Sequence, residues 1–443
     1  MVRFFTAGES HGQGLVIIVE GVPAALPIDE TYIASQLARR QRGYGRGGRM
    51  LIEQDHAHIM SGVRHGHTLG SPIGMTIENK DWVNWETSMA VEDVGDTSHD
   101  ERSKRVTRIR PGHADLPGAM KYGFHDVRDV LERASARETA ARVAAGAVAI
   151  RLLEEFGIRM YSHVISIGGI KAEIPDTIDW QAVEDSPVRC SDPEASTRMM
   201  AEIDAAKEAG DTVGGTVEII AENVPIGLGS HVHWDRKIDA LVAQALMSIN
   251  AVKSVSIGPG AEVADLRGSQ VHDEILPVTD PDRPWQRETN RAGGTEGGMT
   301  DGMPLVARFA IKPIASITNP LPSVDLDTGD LVQAHYERSD VCQVPPAGVI
   351  GESMVALVLA GAFMEKFGGD SIPETRRNYE GYLATVSPRL RYQYGPGLGR
   401  TGSPQFVVSL SNHSGASMLA SVEPKFHCAL RRPRHISNNL TTR

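Results

Sequence analysis

The longest uninterrupted apolar run in this 443-residue chain, Met354–Met364, is 11 residues long and lies between Glu352 and Glu365. A bilayer span needs about 20 such residues. The run therefore reads as a buried helix over about Glu352–Phe367, stopped by Gly368-Gly369. A helix that is apolar on every side has to be enclosed by other elements. Material for that enclosure is present, since 41% of residues are hydrophobic and only 23% are charged. This profile excludes collagen-like, coiled-coil and wholly disordered chains.

Other segments carry helix and strand signals with short Gly and Pro punctuation. Asp29 is placed to cap a helix running to about Arg42, with Ile33 and Leu37 inward and Gly43 as its stop. Ser135-Ala136-Arg137-Glu138 has the spacing of a capping box, which opens an Ala-rich helix reaching Phe156. From Asp235, apolar residues at Ile238, Leu241, Val242, Ala245, Leu246 and Ile249 follow one helical face. Leu15–Val19, His163–Ile167, Thr216–Ala221 and Leu305–Ile311 read as strands. Strands and helices do not alternate as a βαβ series. The expected class is therefore α+β with antiparallel sheet.

Two regions stand apart. Glu92–Arg110 is charge-dense and poor in apolar residues, so it reads as a mobile loop. Gly395–Arg443 lacks an apolar face and carries a net charge of +5 against −16 for the rest of the chain. It reads as a disordered extension. Met1–Thr6 has no apolar stretch followed by a small-residue cleavage site, and the three cysteines are scattered. Both features point to a reducing, cytoplasmic setting, and no membrane partner is expected.

The net charge of −11 argues against a general nucleic-acid binder. The basic residues are nevertheless skewed, with 35 Arg against 10 Lys. Five of the Arg fall in Arg39–Arg49, spread over a helix end and a glycine-rich loop. Guanidinium forks grip carboxylate and phosphate groups in two-point fashion, so this cluster suits a multiply anionic small molecule. Arg133–Thr139 adds two Arg beside a helix start, where backbone amides and the helix dipole favour anions. Three histidines sit among glycines: His11 in Gly8–Gly12, His65 in Val63–His67 and His113 in Pro111–Asp115. Such histidines are candidates for proton transfer beside a closely approaching ligand. Asn290–Gly302 holds five glycines in its last ten residues and fits neither the phosphate-loop nor the dinucleotide pattern. The pairs His56/His58, His65/His67 and His231/His233 invite a metal reading, but no third ligand stands at supporting spacing, so no metal is expected.

Taken together, Gly8–Gly12, Arg39–Arg49, Pro111–Asp115, Arg133–Thr139, Asn290–Gly298, Lys312–Ser316 and Arg338–Cys342 stand in the order found in the chorismate synthase family. The resemblance runs from about residue 3 to 383 and is closest to the bacterial branch. It implies a catalytic domain over 1–383 with a C-terminal extension over 384–443. The implied fold is a single β-α-β sandwich with helices between antiparallel sheets, assembled as a homotetramer. The implied reaction is anti-1,4-elimination of phosphate from 5-enolpyruvylshikimate 3-phosphate, giving chorismate and requiring reduced FMN without net redox change.

Residue roles follow from the same resemblance. His11 is expected to donate a proton at the substrate phosphate. His113 is expected beside the reduced flavin, helping to set its protonation, and Asp340 is expected to assist proton removal through the flavin. Arg40, Arg46, Arg49, Arg110, Arg137 and Arg338 are expected to bind substrate anions. Arg40 and Arg46 are alternatively expected to meet NADPH phosphate if NADPH is the reductant. The flavin site is expected to draw on Arg133, Ala134, Ser135, Asn250, Ala251, Gly297, Lys312, Pro313, Ile314, Ala315 and Ser316, with Arg338 shared. An external flavin reductase is a further expected partner wherever the chain does not reduce its own flavin. Two other readings compete: an NADPH-dependent flavin reductase, disfavoured by the missing dinucleotide motif, and a basic-patch RNA binder, disfavoured by the acidic core.

Overall fold

Leu15, Ile17 and Val19 are buried while Val16 and Ile18 point outward, so the residues after the Gly8–Gly12 turn form a strand with one inner face. A computed structural model describes residues 2–47, 54–95, 100–278 and 285–386. The expectation of disorder for Gly395–Arg443 falls outside these residues.

The elements that position the site are, in chain order, β1 (Arg3–Ala7), β2 (Gly14–Glu20), α1 (Glu30–Gln41), β3 (Ala57–Ser61), β4 (Ile73–Glu78), α2 (Asp115–Tyr122), α3 (Arg128–Ala134), α4 (Thr139–Glu154), β5 (Arg159–Ile167), β6 (Ile170–Lys171), α5 (Pro193–Glu208), β7 (Gly215–Glu222), α6 (Ile238–Met247), β8 (Val252–Ile257), β9 (Leu305–Ile311), α7 (Val344–Phe367) and α8 (Ile372–Thr385). Two antiparallel sheets result. One has four strands in the order β1-β2-β4-β3, and the other has five in the order β8-β9-β7-β5-β6. The four strands expected from the sequence all form.

The apolar run lies inside α7, which is 24 residues long and packs against α1, α4, α6, β5 and β7. Its length and apolarity would suffice for a bilayer span, but 89% of its most apolar window is buried within the protein. It starts at Val344, earlier than the expected Glu352, because Pro345 and Pro346 occupy the first turn. Proline is compatible with that turn, where its missing N–H has no helical partner. Glu352 is wholly buried in this helix, and Arg39 satisfies its charge at 2.7 and 2.9 Å.

Asp29 caps α1 by accepting the Tyr32 N–H at 2.8 Å, with Ile33 and Leu37 buried as expected. The capping box before α4 does not close. Ser135 accepts the Arg137 N–H at 3.2 Å, but the Glu138 side chain turns instead to Arg142 at 2.9 Å. A guanidinium one turn ahead is a stronger partner for that carboxylate than a backbone amide. A short 3-10 turn, Ala136–Glu138, therefore precedes α4. α6 likewise begins at Ile238, after a separate 3-10 turn at Trp234–Arg236.

The charge-dense stretch expected to be a mobile loop is anchored at its far end. Val106 and Ile109 are buried against Val127 and Leu131; the Val106 carbonyl accepts the Val127 N–H at 2.9 Å, and the Val106 N–H donates to the Asp126 carboxylate at 2.9 Å.

Candidate active site

The N-terminal turns of α4 and α7 open on one cleft of about 610 Å³, lined by Ser135–Arg137 on one side and by Gln343, Pro346 and Ala347 on the other. Two helix N-termini facing one space give it a positive field from backbone alone. Six guanidiniums (Arg40, Arg46, Arg102, Arg110, Arg137 and Arg338) line the cleft against three carboxylates, Asp81, Glu337 and Asp340. A protein of net charge −11 thus carries a cationic cavity.

Buried partners hold these Arg side chains in place. Arg40, at the end of α1, is 4% exposed and donates to Thr139 Oγ1 at 2.8 Å and to the Ala136 carbonyl at 3.0 Å. Burial pushes its pKa down to about 10; Asp55 opposes that shift, and Arg46 and Arg137 add to it. Arg137 pairs with the same Asp55 and donates to Asn79 Oδ1 at 2.8 Å. Arg110 grips Asp115 through two nitrogens, at 2.8 and 3.0 Å. Arg46 pairs with Asp340 at 3.2 Å, and the Gly47 N–H donates to Asp340 at 2.6 Å. Arg338 is exposed and has no hydrogen-bonding or ion-pair partner among the described residues.

The loop behind this cluster needs glycine at position 45. There φ is +82°, and a Cβ would meet Ile203 Cγ2 at 2.8 Å. The Gly45 carbonyl accepts the Val341 N–H at 2.9 Å, which binds the Arg46 loop to the strand of chain carrying Asp340.

Of the three glycine-flanked histidines, His65 is exposed and does not line the cleft, whereas His11 and His113 line it and are tethered by carboxylates. Glu132, at the inner end of α3, accepts the His11 backbone N–H at 2.8 Å and the ring Nδ1 at 2.9 Å. Trp85 stacks on His11 with ring centroids 4.0 Å apart, and Arg128 lies 5.0 Å from the Trp85 ring centre. His113 Nδ1 meets Asp115 at 2.5 Å and Arg110 at 3.0 Å. Burial pushes the Asp115 carboxyl upward, but hydrogen bonds from His113 and Arg110 outweigh it and hold the group well below the usual carboxylate range.

Of the expected residues, His11, His113, Asp340, Ser135, Asn250, Ile314, Ala315, Ser316, Arg338, Arg40, Arg46, Arg110 and Arg137 line the cleft. Six do not. Arg133 turns away to the Thr6 and Gly8 carbonyls at 2.9 and 3.0 Å. Ala134 offers its carbonyl to the Asn250 amide at 3.0 Å, which joins two segments expected at the flavin. Ala251 holds a left-handed φ of 67° and accepts the Lys312 N–H at 3.0 Å. Lys312 donates from Nζ to the Gly112 carbonyl, and burial followed by repulsion from Lys253 pushes its pKa down. Pro313, next in the chain, is exposed, and Gly297 sits in a hairpin turn at φ 60°. Arg49 lies outside the described residues.

Sequence reasoning missed Asp55, Asn79, Trp85, Arg102, Glu132 and Glu337. None belongs to a glycine- or arginine-rich motif. Only Trp85 carried a local signal, as one of 5 Trp in the chain.

The chorismate synthase family model matches residues 2–364. A chorismate synthase of Symbiobacterium thermophilum is 55% identical over 393 residues, covering 88% of this chain and all of that protein. One from Geobacillus thermodenitrificans is 55% identical over 383 residues, covering 86% of this chain and 98% of its own. A crystal structure of a chorismate synthase superposes with a TM-score of 0.69 at 43% identity, covering 87% of this chain and 98% of that one. A sequence match of this length and a matching mixed helix-and-sheet fold lead to one conclusion: the chain belongs to the chorismate synthase family.

Proposed function

We propose that the chain converts 5-enolpyruvylshikimate 3-phosphate to chorismate and phosphate, the last common step toward the aromatic amino acids. The observation that carries this reading is the six-guanidinium cleft beside a histidine fixed by a carboxylate. A substrate with two carboxylates and a phosphate needs several bidentate cations, held rigid so that little ordering is left to do on binding. Arg40, Arg110 and Arg137 meet that need, since each is under 9% exposed and already hydrogen-bonded.

In this reading the elimination breaks the bond to the phosphate and removes a ring hydrogen. As an imidazolium, His11 donates Nδ1–H to Glu132, which directs its other ring proton to the departing phosphate. Fixed guanidiniums neutralise the charge that grows on that group. Asp340, held at its position by Arg46 and the Gly47 amide, assists removal of the ring proton. His113, whose Nδ1 is held by the Asp115 carboxylate, would help set the protonation of the bound flavin.

Reduced FMN fits the chemistry of the remaining wall. Its phosphate and carbonyl groups suit Arg338, Ser316 and Ser135, and Ile314, Ala315 and Ile249 offer apolar contact for a ring system. When bound, the flavin supplies transient electron density that eases phosphate departure.

The same reading makes residues 1–383 the catalytic unit, with 384–443 an extension to it, in a cytoplasmic homotetramer. Helices α4 and α7 form the middle layer of a sandwich between the two sheets, supported by packing of α4 on β2 and of α7 on β5 and β7. Tetramer formation is supported by Phe5, Val16 and Ile18, which are 60%, 46% and 43% exposed on the outer face of the four-stranded sheet.

The test is an anaerobic assay with photoreduced FMN and no nicotinamide. Chorismate should form. Absence of chorismate, with flavin reduction by NADPH as the only activity, would reject the reading. A parallel reaction with NADPH and oxidised FMN decides whether an external reductase is required.

A further inference from the structure

We infer that Glu30, His56 and His58 form a binding site for one zinc-like transition-metal dication on the edge strand β3, away from the catalytic cleft. The sequence offered His56 and His58 as a pair lacking a third ligand. The fold supplies that ligand from α1, 26 residues upstream of His56.

His56 and His58 flank Ala57, which is fully buried, so both imidazoles project from the opposite side of the strand. Their side chains are 43% and 50% exposed. The rings meet edge-on with centroids 4.7 Å apart. Glu30 is the first residue of α1, directly after its Asp29 cap. One of its oxygens, Oε1, accepts the Ile59 backbone N–H at 2.8 Å. That bond fixes the carboxylate and leaves Oε2 facing both histidines, 2.8 Å from His56 Nε2 and 3.8 Å from His58 Nδ1. All three ligand atoms lie within 4.8 Å of one another.

Tetrahedral zinc with bonds of about 2.0–2.1 Å needs ligand atoms roughly 3.3 Å apart. Reaching that spacing asks the 3.8 Å contact of the half-exposed His58 to shorten and the 2.8 Å contact of His56 to lengthen. Two imidazoles and one carboxylate suit zinc, cobalt, nickel or copper better than magnesium or calcium, which favour oxygen ligands. The solvent side remains for water. The Ile59 amide acts as the outer partner that orients a metal-binding carboxylate. Asp55, the residue before His56, turns the other way to Arg40 and Arg137. A metal here would therefore tie α1 to the start of β3 on the outer side of the chain that anchors those two arginines.

The test uses the full-length chain, stripped by chelator and titrated with Zn²⁺ alone against a chromophoric competitor. One equivalent should bind with Kd on the order of 10⁻⁵ M or tighter. Glu30→Gln and His58→Ala should each weaken it by at least about tenfold, whereas His233→Ala, in an exposed pair elsewhere, should not. Co²⁺ should give the intense visible band of a four- or five-coordinate site in the unsubstituted chain and lose it in His58→Ala. The metal-free variants should melt like the parent, so that loss of binding is not loss of fold. No equivalent bound at this affinity, binding that survives both ligand substitutions, or equal loss in His233→Ala would each overturn the site.

Discussion

Glu132 holds His11 by two of its groups at once: one carboxylate oxygen accepts the backbone N–H at 2.8 Å, and the other meets ring Nδ1 at 2.9 Å. Glu132 is 2% exposed and also pairs with Arg128 at 3.2 Å. A glycine-flanked turn is thereby converted into a fixed mount for an imidazole.

His11→Ala should lower kcat by about 10²–10⁴-fold, the usual cost of losing one general acid, with flavin affinity little changed. Steady-state turnover and a flavin titration check this. Near-normal turnover would remove the proposed role.

Glu132→Gln keeps the shape and removes the charge. It should lower kcat by roughly tenfold or more with a smaller change in KM, because the ring loses its orienting partner. The loss should be strongly non-additive with His11→Ala, since both act through one imidazole. A double-mutant cycle measures this, and full additivity would show that Glu132 acts elsewhere.

Arg338→Ala should weaken both substrate and flavin binding. In the proposed function its guanidinium, which has no partner among the described residues, would lie between two anionic ligands and couple their sites, and coupling typically amounts to about 5- to 150-fold. Flavin titrations with and without substrate should show the two affinities drawing apart less in the variant than in the parent. An unchanged difference would rule out a shared contact.

Glu184 links the motif arginine Arg39 to Arg189, at 2.6 and 2.8 Å. Burial pushes its carboxyl up, but hydrogen bonds and charge from these arginines outweigh it and hold the pKa at about 2. A depressed carboxyl stabilises the fold above its unfolded pKa of about 4.3, and that contribution fades as pH falls toward the folded value. Glu184→Gln should therefore lower Tm at pH 7, and the gap to the parent should narrow between about pH 4.5 and pH 2. Melting curves across that range decide it; a gap constant with pH would mean that the pair contributes no charge-dependent stability.

Gly146 lets α4 and α7 approach closely, since a Cβ there would lie 2.2 Å from Ser353 Cβ and 2.6 Å from its Cα. Backbone cannot yield as a flexible side chain can. Gly146→Ala should destabilise the chain by about 1–3 kcal/mol, the range for overpacking a close-packed core, in spite of alanine's better helix propensity. Denaturant unfolding measures the sign, and a stabilised variant would show that the helices separate freely.

The sequence by itself determined the local elements and the two crowded arginine segments. Apolar, β-branched runs set strands such as Leu15–Val19, Asp29 set the start of α1, and the long apolar run set the buried α7. The crowding of Arg39–Arg49 and Arg133–Thr139 already called for an anionic ligand. All of these are interactions between near neighbours in the chain, so spacing reveals them. The tertiary structure alone decided the partners. Asp55 meets Arg137 from 82 residues away, Glu132 meets His11 from 121, and Gly47 meets Asp340 from 293. It also turned Arg133 away from the cleft and brought Glu30 to His56 and His58. A lone carboxylate has no local signature, because its role depends on which cation the packing of sheets and helices delivers to it.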